Sequence, residues 1–497
     1  MNILIDKSSM IPIHQQLYQQ ISDRILSGLM KEGERLPSIR SMSESLTLSP
    51  MTIVKVYQQL EDHGLIERAH GKGTFVKRKD LLKNTQKDDL SNPYQWQISI
   101  SDYLSRSRFR YNPSLSAGYS GYNLSIASLN HQLLPTKRIL KEAYSLLEKN
   151  LDSLGKYGPV QGDLSFRETA AQYLKNKGIV TSAQNILVTS GAQQGISLIA
   201  HTFVGPGDIV IMEAPTYPGA IDIFKSRGAT ILTVPVDTEG MRTDLLLSLC
   251  DKYSPKLIYT IPRFHNPTGY SMSQRRKIEL LAIAHHNNCM IIEDDPWSEI
   301  TYSTIKAKPL KSMDTLGHII YLKSFSKIIG PGYRVCAMVA EGSILDRLIA
   351  AKANLDSGAP LLTQKAIIPF LESNAMVQYL RQLNLTLSYR RDKMIKVLKA
   401  NAPTGVTWTI PEGGVVIWVT LPKHFDIDSL FYRSVADHNI SFLPGTVCYA
   451  NEPEFNHLRL CFSYLDEDEL EICILSLCRL IRDMMEHQGN HSPLPMI

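Results

Sequence analysis

From about residue 115 onward, short apolar runs recur between helix-patterned segments. The clearest are Ile209–Met212, Ile231–Val234, Leu257–Ile261, Met290–Ile292, Ile319–Leu322 and Val335–Ala340. Unbroken apolar runs mark strands covered on both faces, and their alternation with helices predicts an α/β domain with a largely parallel, buried sheet. Near residue 400 the pattern changes. Val415–Val419 and Leu458–Phe462 are shorter strands among helices, which predicts a smaller α+β subdomain. No internal repeat is visible.

The first eighty residues follow a different rule. Ile13, Leu17, Ile21 and Ile25 stand four apart, one stripe of an amphipathic helix. Gly28 and Gly33 end it. Pro37-Ser38 starts a short helix with Ile39, Met42 and Leu46 inward. Ser49-Pro50 reads as an N-cap with proline at the first helical position, and Ile53, Tyr57 and Leu60 line the helix that follows up to Gly64. Leu65–Arg68, a turn at His70-Gly71-Lys72-Gly73 and Thr74–Lys77 read as strand, turn, strand. Three helices and a hairpin make a winged helix-turn-helix. The domains expected are 10–78 for this module, 79–114 for a polar linker, 115–485 for the α/β domain and 486–497 for a disordered tail.

At 497 residues two or three domains are expected. A net charge of +5 permits a nucleic-acid partner without demanding one. The seven cysteines show neither a paired C-x-x-C nor zinc-ligand spacing, so buried free thiols are expected and no metal site. No apolar run approaches the roughly eighteen residues of a membrane helix, and no signal-peptide core opens the chain. No membrane partner and a cytoplasmic location are the expectation.

In a helix-turn-helix, residues at the start of the recognition helix meet base edges and flanking cations meet phosphates. Ser49, Met51 and Thr52 stand at that start. Arg35 and Arg40 precede it, and His70 and Lys72 occupy the wing tip. The alternative is a protein-docking winged helix with solvated charges. The runs Gly33-Glu34-Arg35-Leu36-Pro37-Ser38-Ile39-Arg40, Met51-Thr52-Ile53-Val54-Lys55-Val56-Tyr57 and Gly73-Thr74-Phe75-Val76 resemble the GntR-type winged helix. The resemblance implies double-stranded DNA as partner, with contacts at Arg35, Arg40, Ser49, Thr52 and His70. Pro50 stands where some relatives carry arginine.

The second domain holds a constellation suited to an aldehyde cofactor with a phosphate. Lys327, in Ser324-Phe325-Ser326-Lys327, follows an apolar strand and can form a Schiff base, while Ser324, Ser326 and Arg334 can hold the phosphate. Ser190-Gly191-Ala192-Gln193 follows Ile186-Leu187-Val188 and opens a helix, where backbone N–H groups meet a phosphate. Asp294 ends a strand and can pair with a pyridinium nitrogen; an N-cap carboxylate is the alternative. Asn266, in Asn266-Pro267-Thr268-Gly269, offers an amide to a phenolic oxygen. Tyr217 can stack on a ring or serve as a core tyrosine. Arg459 can grip a carboxylate or form an inter-domain ion pair.

In this order these segments resemble fold-type I pyridoxal-phosphate enzymes of the aspartate-aminotransferase superfamily. The resemblance implies pyridoxal 5'-phosphate as cofactor. It also matches Tyr157 to a tyrosine that reaches the phosphate of a neighbouring subunit, which implies a homodimer with shared sites. After the aspartate the family places a tyrosine, and this chain has Trp297, in Asp294-Asp295-Pro296-Trp297. Weak transaminase turnover is therefore expected. A winged helix joined to such a domain resembles the MocR subfamily of GntR-type regulators. That implies a regulator sensing pyridoxal phosphate, an amino compound, or both. A metabolic aminotransferase with an accessory DNA-binding domain is the alternative.

Overall fold

The computed structural model describes residues 12–26, 33–69, 73–77, 121–148, 155–303, 308–423, 425–451 and 456–489, with Ile5, Met30, Pro453 and Glu454 besides. The chain divides into two units, Met1–Leu104 and Ser105–Ile497. The division falls inside the segment read as a linker, residues 79–114, which lies outside the described residues.

In the first unit α1 (Ile13–Leu26), α2 (Ile39–Leu46) and α3 (Pro50–Asp62) precede β1 (Ile66–Ala69) and β2 (Gly73–Val76). The caps are those the sequence offers. Ser38 Oγ accepts the Ser41 N–H at 3.1 Å to start α2, and Ser49 Oγ accepts the Met51 N–H at 3.2 Å to start α3. Thr47 takes a left-handed backbone (φ 52°) and ends α2. Leu17, Ile21, Met42, Ile53, Val56, Tyr57 and Leu60 form the core, closed by Ile66 and Val76 of the antiparallel hairpin. The Tyr57 hydroxyl donates to the Pro37 carbonyl at 2.7 Å and ties the buried face of α3 to the start of α2.

The second unit is built on an eight-stranded sheet. After β3 (Tyr122–Asn123), its strands are β4 (Ile186–Thr189), β5 (Ile209–Ala214), β6 (Thr230–Asp237), β7 (Gly240–Met241), β8 (Leu257–Thr260), β9 (Met290–Asp295), β10 (Ile319–Ser324) and β11 (Cys336–Val339). Their spatial order is β4-β11-β10-β9-β8-β5-β6-β7. The run β10-β9-β8-β5-β6 is parallel; β11 is antiparallel to both its neighbours, and β7 is antiparallel to β6. The carboxyl ends of β4, β5, β8, β9 and β10 therefore share one edge, where doubly wound sheets bind ligands.

The smaller subdomain carries β12 (Thr407–Trp408), β13 (Val416–Thr420), β15 (Leu443–Pro444) and β16 (His457–Cys461) in an antiparallel sheet of order β12-β13-β16-β15, while β14 (Ile440–Ser441) pairs with β3. All seven cysteines are buried and free. The last helix, Glu467–Gly489, continues past 485, so the boundary read at 486 falls four residues too early. Its apolar stripe, with Leu470, Cys473, Ile474, Leu477 and Ile481 buried, persists into a polar end. Residues 490–497 lie outside the described residues.

Candidate cofactor site and DNA-contact surface

At the shared edge of the sheet the helix Ala192–Phe203 begins at Gly191 without a side-chain cap. Gly191 has φ 91°, and a Cβ there would stand 2.5 Å from Arg334 Nη2. Only glycine lets that guanidinium lie against the helix start. Arg334 Nη2 donates to the Ser190 carbonyl at 2.9 Å. An open helix N-terminus and an arginine thus converge, an arrangement suited to a phosphate. Ser326 Oγ accepts the Val335 N–H at 3.1 Å and keeps its own proton to donate. Ser190 is used differently from expectation: its N–H donates to Gln194 Oε1 at 2.6 Å and it stands outside the cavity lining.

Lys327 lies inside a cavity of about 380 Å³ that Ala192, Gln193, Ser324, Ser326 and Arg334 also line. Its Nζ donates to the Ala127 carbonyl at 2.8 Å and sits 5.2 Å from the Trp297 ring centroid. Burial, with Arg459 and Arg334 nearby, lowers its pKa to about 8. A lysine in this state has a substantial neutral fraction near neutrality and is a nucleophile.

Asp294 closes β9 at the same cavity. Its Oδ2 accepts the buried Tyr259 hydroxyl at 2.8 Å, whereas its Oδ1 is buried with no partner among the described residues. Burial pushes its carboxyl up to about 6. A fixed carboxylate with one orphaned oxygen aimed at a cavity fits a protonated ring nitrogen, which would restore the anion. The N-cap alternative is not what the structure shows.

Arg459, on β16, donates through Nη1 to Asn266 Oδ1 at 2.7 Å and through Nη2 to the Ser125 carbonyl. Its Nε is buried without a partner, and no carboxylate among the described residues pairs with it. A buried guanidinium facing neutral oxygens and a cavity is suited to receive an anion. Tyr217 lines the cavity with its hydroxyl on Gln193 Oε1 at 3.0 Å. Trp297 is fully buried beside it, and its indole Nε1 has no partner among the described residues. Tyr157 is 91% exposed and stands outside this cavity.

Sequence reasoning missed the Ser125–Ala127 wall and Tyr259. The wall is a turn in which Asn123 Oδ1 accepts the N–H groups of Ser125 (2.9 Å) and Ile126 (3.0 Å). An Asn two residues before a Ser signals such a turn, but nothing local ties it to Lys327, 200 residues away. Tyr259 reads as one more apolar strand residue until β8 is set beside β9.

In the first unit, Arg40 is exposed and paired with Glu44 at 3.0 Å, Arg35 is exposed, and Thr52 is half-buried. Ser49 is committed to capping α3. Met51, expected at that start, is 72% exposed, and Lys55 and Gln58 share the outward face of α3 with it. His70 and Lys72 lie outside the described residues.

Residues 123–477 match the family model for aminotransferase class I and II, and residues 13–76 match that for bacterial regulatory proteins of the gntR family. Over 486 residues the chain is 30% identical to the uncharacterized HTH-type transcriptional regulator YisV of Bacillus subtilis, covering 96% of this chain and 98% of that one. Aromatic-amino-acid aminotransferase 1 of Thermococcus litoralis is 34% identical over 71% of this chain and 86% of its own length. Among solved structures, the kynurenine aminotransferase of Pyrococcus horikoshii aligns with a TM-score of 0.71 at 33% identity, over 74% of this chain and 93% of that one. The fold and site define a fold-type I pyridoxal-phosphate domain behind a GntR-type DNA-binding domain. The chain belongs to the class I and II aminotransferase family, in the architecture of the MocR-type transcription regulators. Pyridoxal 5'-phosphate is its cofactor, and the open helix start, the lysine and the orphaned carboxylate oxygen fit it.

Proposed function

We propose that this regulator senses pyridoxal phosphate together with a small amino compound, and that ligand occupancy sets how its DNA-binding units engage an operator. The observation that carries the reading is Lys327, a buried amine lowered to about 8 that shares its cavity with Arg459 Nε and Asp294 Oδ1, two buried atoms with no hydrogen-bond partner among the described residues. When bound, the cofactor supplies an electrophilic carbon and an electron-withdrawing ring. Lys327 would hold it covalently through its buried amine. The N–H groups after Gly191, with Arg334, Ser324 and Ser326, hold the phosphate. Asp294 keeps the ring nitrogen protonated, with Tyr259 fixing the carboxylate. Tyr217 stacks on the ring, Asn266 orients its oxygen, and Arg459 grips the ligand's carboxylate.

Such a ligand shifts the regulator only through contacts made better in one arrangement of the chain than in another. The carboxylate on Arg459 is that contact, since it joins β16 of the smaller subdomain to a ligand anchored on the sheet edge. Tyr157, almost fully exposed on one chain, supports a homodimer in which it completes the partner's phosphate site. Half-sites on the operator are then spaced by whole helical turns, roughly 10 base pairs or a multiple. A DNA-binding regulator of this kind works in the cytoplasm.

Trp297 separates this reading from that of a metabolic aminotransferase. Its unpartnered indole N–H can donate but cannot exchange a proton as a phenol does. We expect cofactor binding with slow turnover. Trp297→Tyr is expected to raise transamination of an added amino acid while leaving operator binding intact. The test is footprinting of apo and cofactor-loaded protein upstream of its own gene against a panel of amino acids, beside a transamination assay. A ligand-dependent footprint with negligible turnover supports the regulator. Rapid turnover without sequence-specific protection overturns it in favour of the enzyme.

A further inference from the structure

At the opposite edge of the sheet from the cofactor cavity, three side chains meet. His285 lies in the last turn of the helix Gln274–His286, Asp314 follows the turn Leu310–Met313, and His318 immediately precedes β10. The two imidazole rings stand 4.7 Å apart between centroids. One ligand atom from each of the three residues lies within 4.8 Å of the others, and His285 Nε2 is 3.9 Å from Asp314 Oδ1.

The hydrogen-bond inventory is what distinguishes this cluster from a chance contact. His285 Nε2 and His318 Nδ1 are both buried, and neither has a hydrogen-bond partner among the described residues. Leaving a buried polar atom unsatisfied costs about 1–3 kcal/mol, so two such nitrogens at one spot call for something between them. Asp314, by contrast, is rigidly built. Its Oδ1 accepts the N–H groups of Gly317 (3.0 Å) and His318 (3.2 Å), and its Oδ2 accepts that of Ile319 (3.0 Å) and Lys311 Nζ (2.9 Å). Lys311 also faces Glu341 at 3.1 Å, so one cation stands among two carboxylates and the local balance favours a bound cation.

We propose that His285, His318 and Asp314 form a binding site for a first-row divalent transition metal such as Zn²⁺, Co²⁺ or Ni²⁺. The imidazole nitrogens are the principal ligands, the carboxylate is the third, and water completes the shell. Two nitrogens and one already hydrogen-bonded carboxylate make a poor site for Ca²⁺ or Mg²⁺, which take oxygen ligands, and a fitting one for borderline ions. Ligand bonds of about 2.0–2.2 Å bring neighbouring donors to roughly 3–3.5 Å, a small side-chain movement from the spacing seen. The ion would pin the carboxyl end of the helix Gln274–His286 to the start of β10, the strand whose far end leads to Ser324 and Lys327. Its role is structural rather than chemical.

The test uses the full-length protein, loaded with cofactor and stripped of metal by a chelator. Co²⁺ is titrated while the visible absorption of the metal is followed apart from the cofactor band, and Zn²⁺ is titrated while the unfolding midpoint is followed. One Co²⁺ per chain and a Zn²⁺-dependent rise in midpoint are expected. Both are expected to vanish in His285→Ala and in His318→Ala, with the cofactor band retained as the sign of an intact fold. His285→Gln, which keeps the size of the side chain, is expected to lose metal in the same way and serves if an alanine variant unfolds. Absence of Co²⁺ and Zn²⁺ binding to the wild type overturns the proposal. So does binding that survives in the folded histidine variants.

Discussion

Ser49 and Ser190 each stand at the start of a helix, and the two are used in opposite ways. In the DNA-binding unit, Ser49 turns its hydroxyl onto the Met51 N–H and closes the start of α3. In the cofactor domain, the helix Ala192–Phe203 starts at Gly191 with no side chain over its N–H groups, while Ser190 is bonded away to Gln194 and Arg334. The first helix has one of its opening donors taken up by a side chain, whereas the second starts without a side-chain cap, which suits the proposed phosphate. The same contrast runs through both units. Ser49 and Arg40 in the DNA-binding unit have partners within their own helices, whereas Asp294 and Arg459 in the cofactor domain are buried and carry atoms with no partner among the described residues.

The largest effect that can undo this contrast lies at Lys327. Lys327→Ala is expected to abolish covalent cofactor attachment, read as complete loss of cofactor retained on the chain after borohydride reduction and denaturation. Asp294→Ala comes next. A hydrogen bond to a charged group contributes about 1.5–3 kcal/mol, so cofactor affinity should fall roughly ten- to hundred-fold by titration. On the DNA side effects are smaller and depend on salt. Lys55→Ala should weaken binding to all sequences alike and reduce the slope of log affinity against log salt by about 1, as loss of one phosphate contact does.

The pH response separates the two units further. Lys327 is lowered from 10.5 to about 8, so its neutral, reactive fraction grows as pH rises through about 8. The rate of covalent loading should climb to that point and then level off. An unshifted lysine would still be climbing near its ordinary value of about 10.4. Asp294 is raised from 3.8 to about 6 in the unliganded chain, so the folded state holds a proton that the unfolded state has released. Its contribution to stability is present below about pH 4 and is lost as pH rises through about 6. Asp294→Asn should flatten that part of the unfolding profile. The smallest effect is Tyr57→Phe, which strips the Pro37 carbonyl of its donor and should cost about 1 kcal/mol in the stability of the DNA-binding unit by denaturant titration.

The contrast also explains what was legible in the sequence. Strands such as Ile319–Leu322 and the capped start at Ser49-Pro50 follow from local periodicity and cap chemistry, so they stand where the pattern puts them. Lys327, Asp294, Asn266 and Arg459 stand beside distinctive neighbours and gather in or at one cavity. What stayed hidden depends on contacts across long separations. The Ala127 carbonyl that receives Lys327 and the Tyr259 hydroxyl that fixes Asp294 belong to ordinary-looking residues. His285 and His318 become neighbours only when a helix end meets the loop before β10. On the outward face of α3 Met51 is exposed as expected, whereas Ser49 satisfies the backbone first and Thr52 is half-buried, so Lys55 and Gln58 share the exposed role.

Under the proposed function, coupling of a small molecule to DNA binding through Lys327 would distinguish a sensor from an enzyme. Footprinting wild type and Lys327→Ala on the same operator, with cofactor, across a series of amino compounds tests that coupling without intermediary. The protection pattern should change with one class of amino compound in the wild type and stay unchanged in Lys327→Ala. A variant whose footprint responds to the ligand as the wild type does would contradict the coupling.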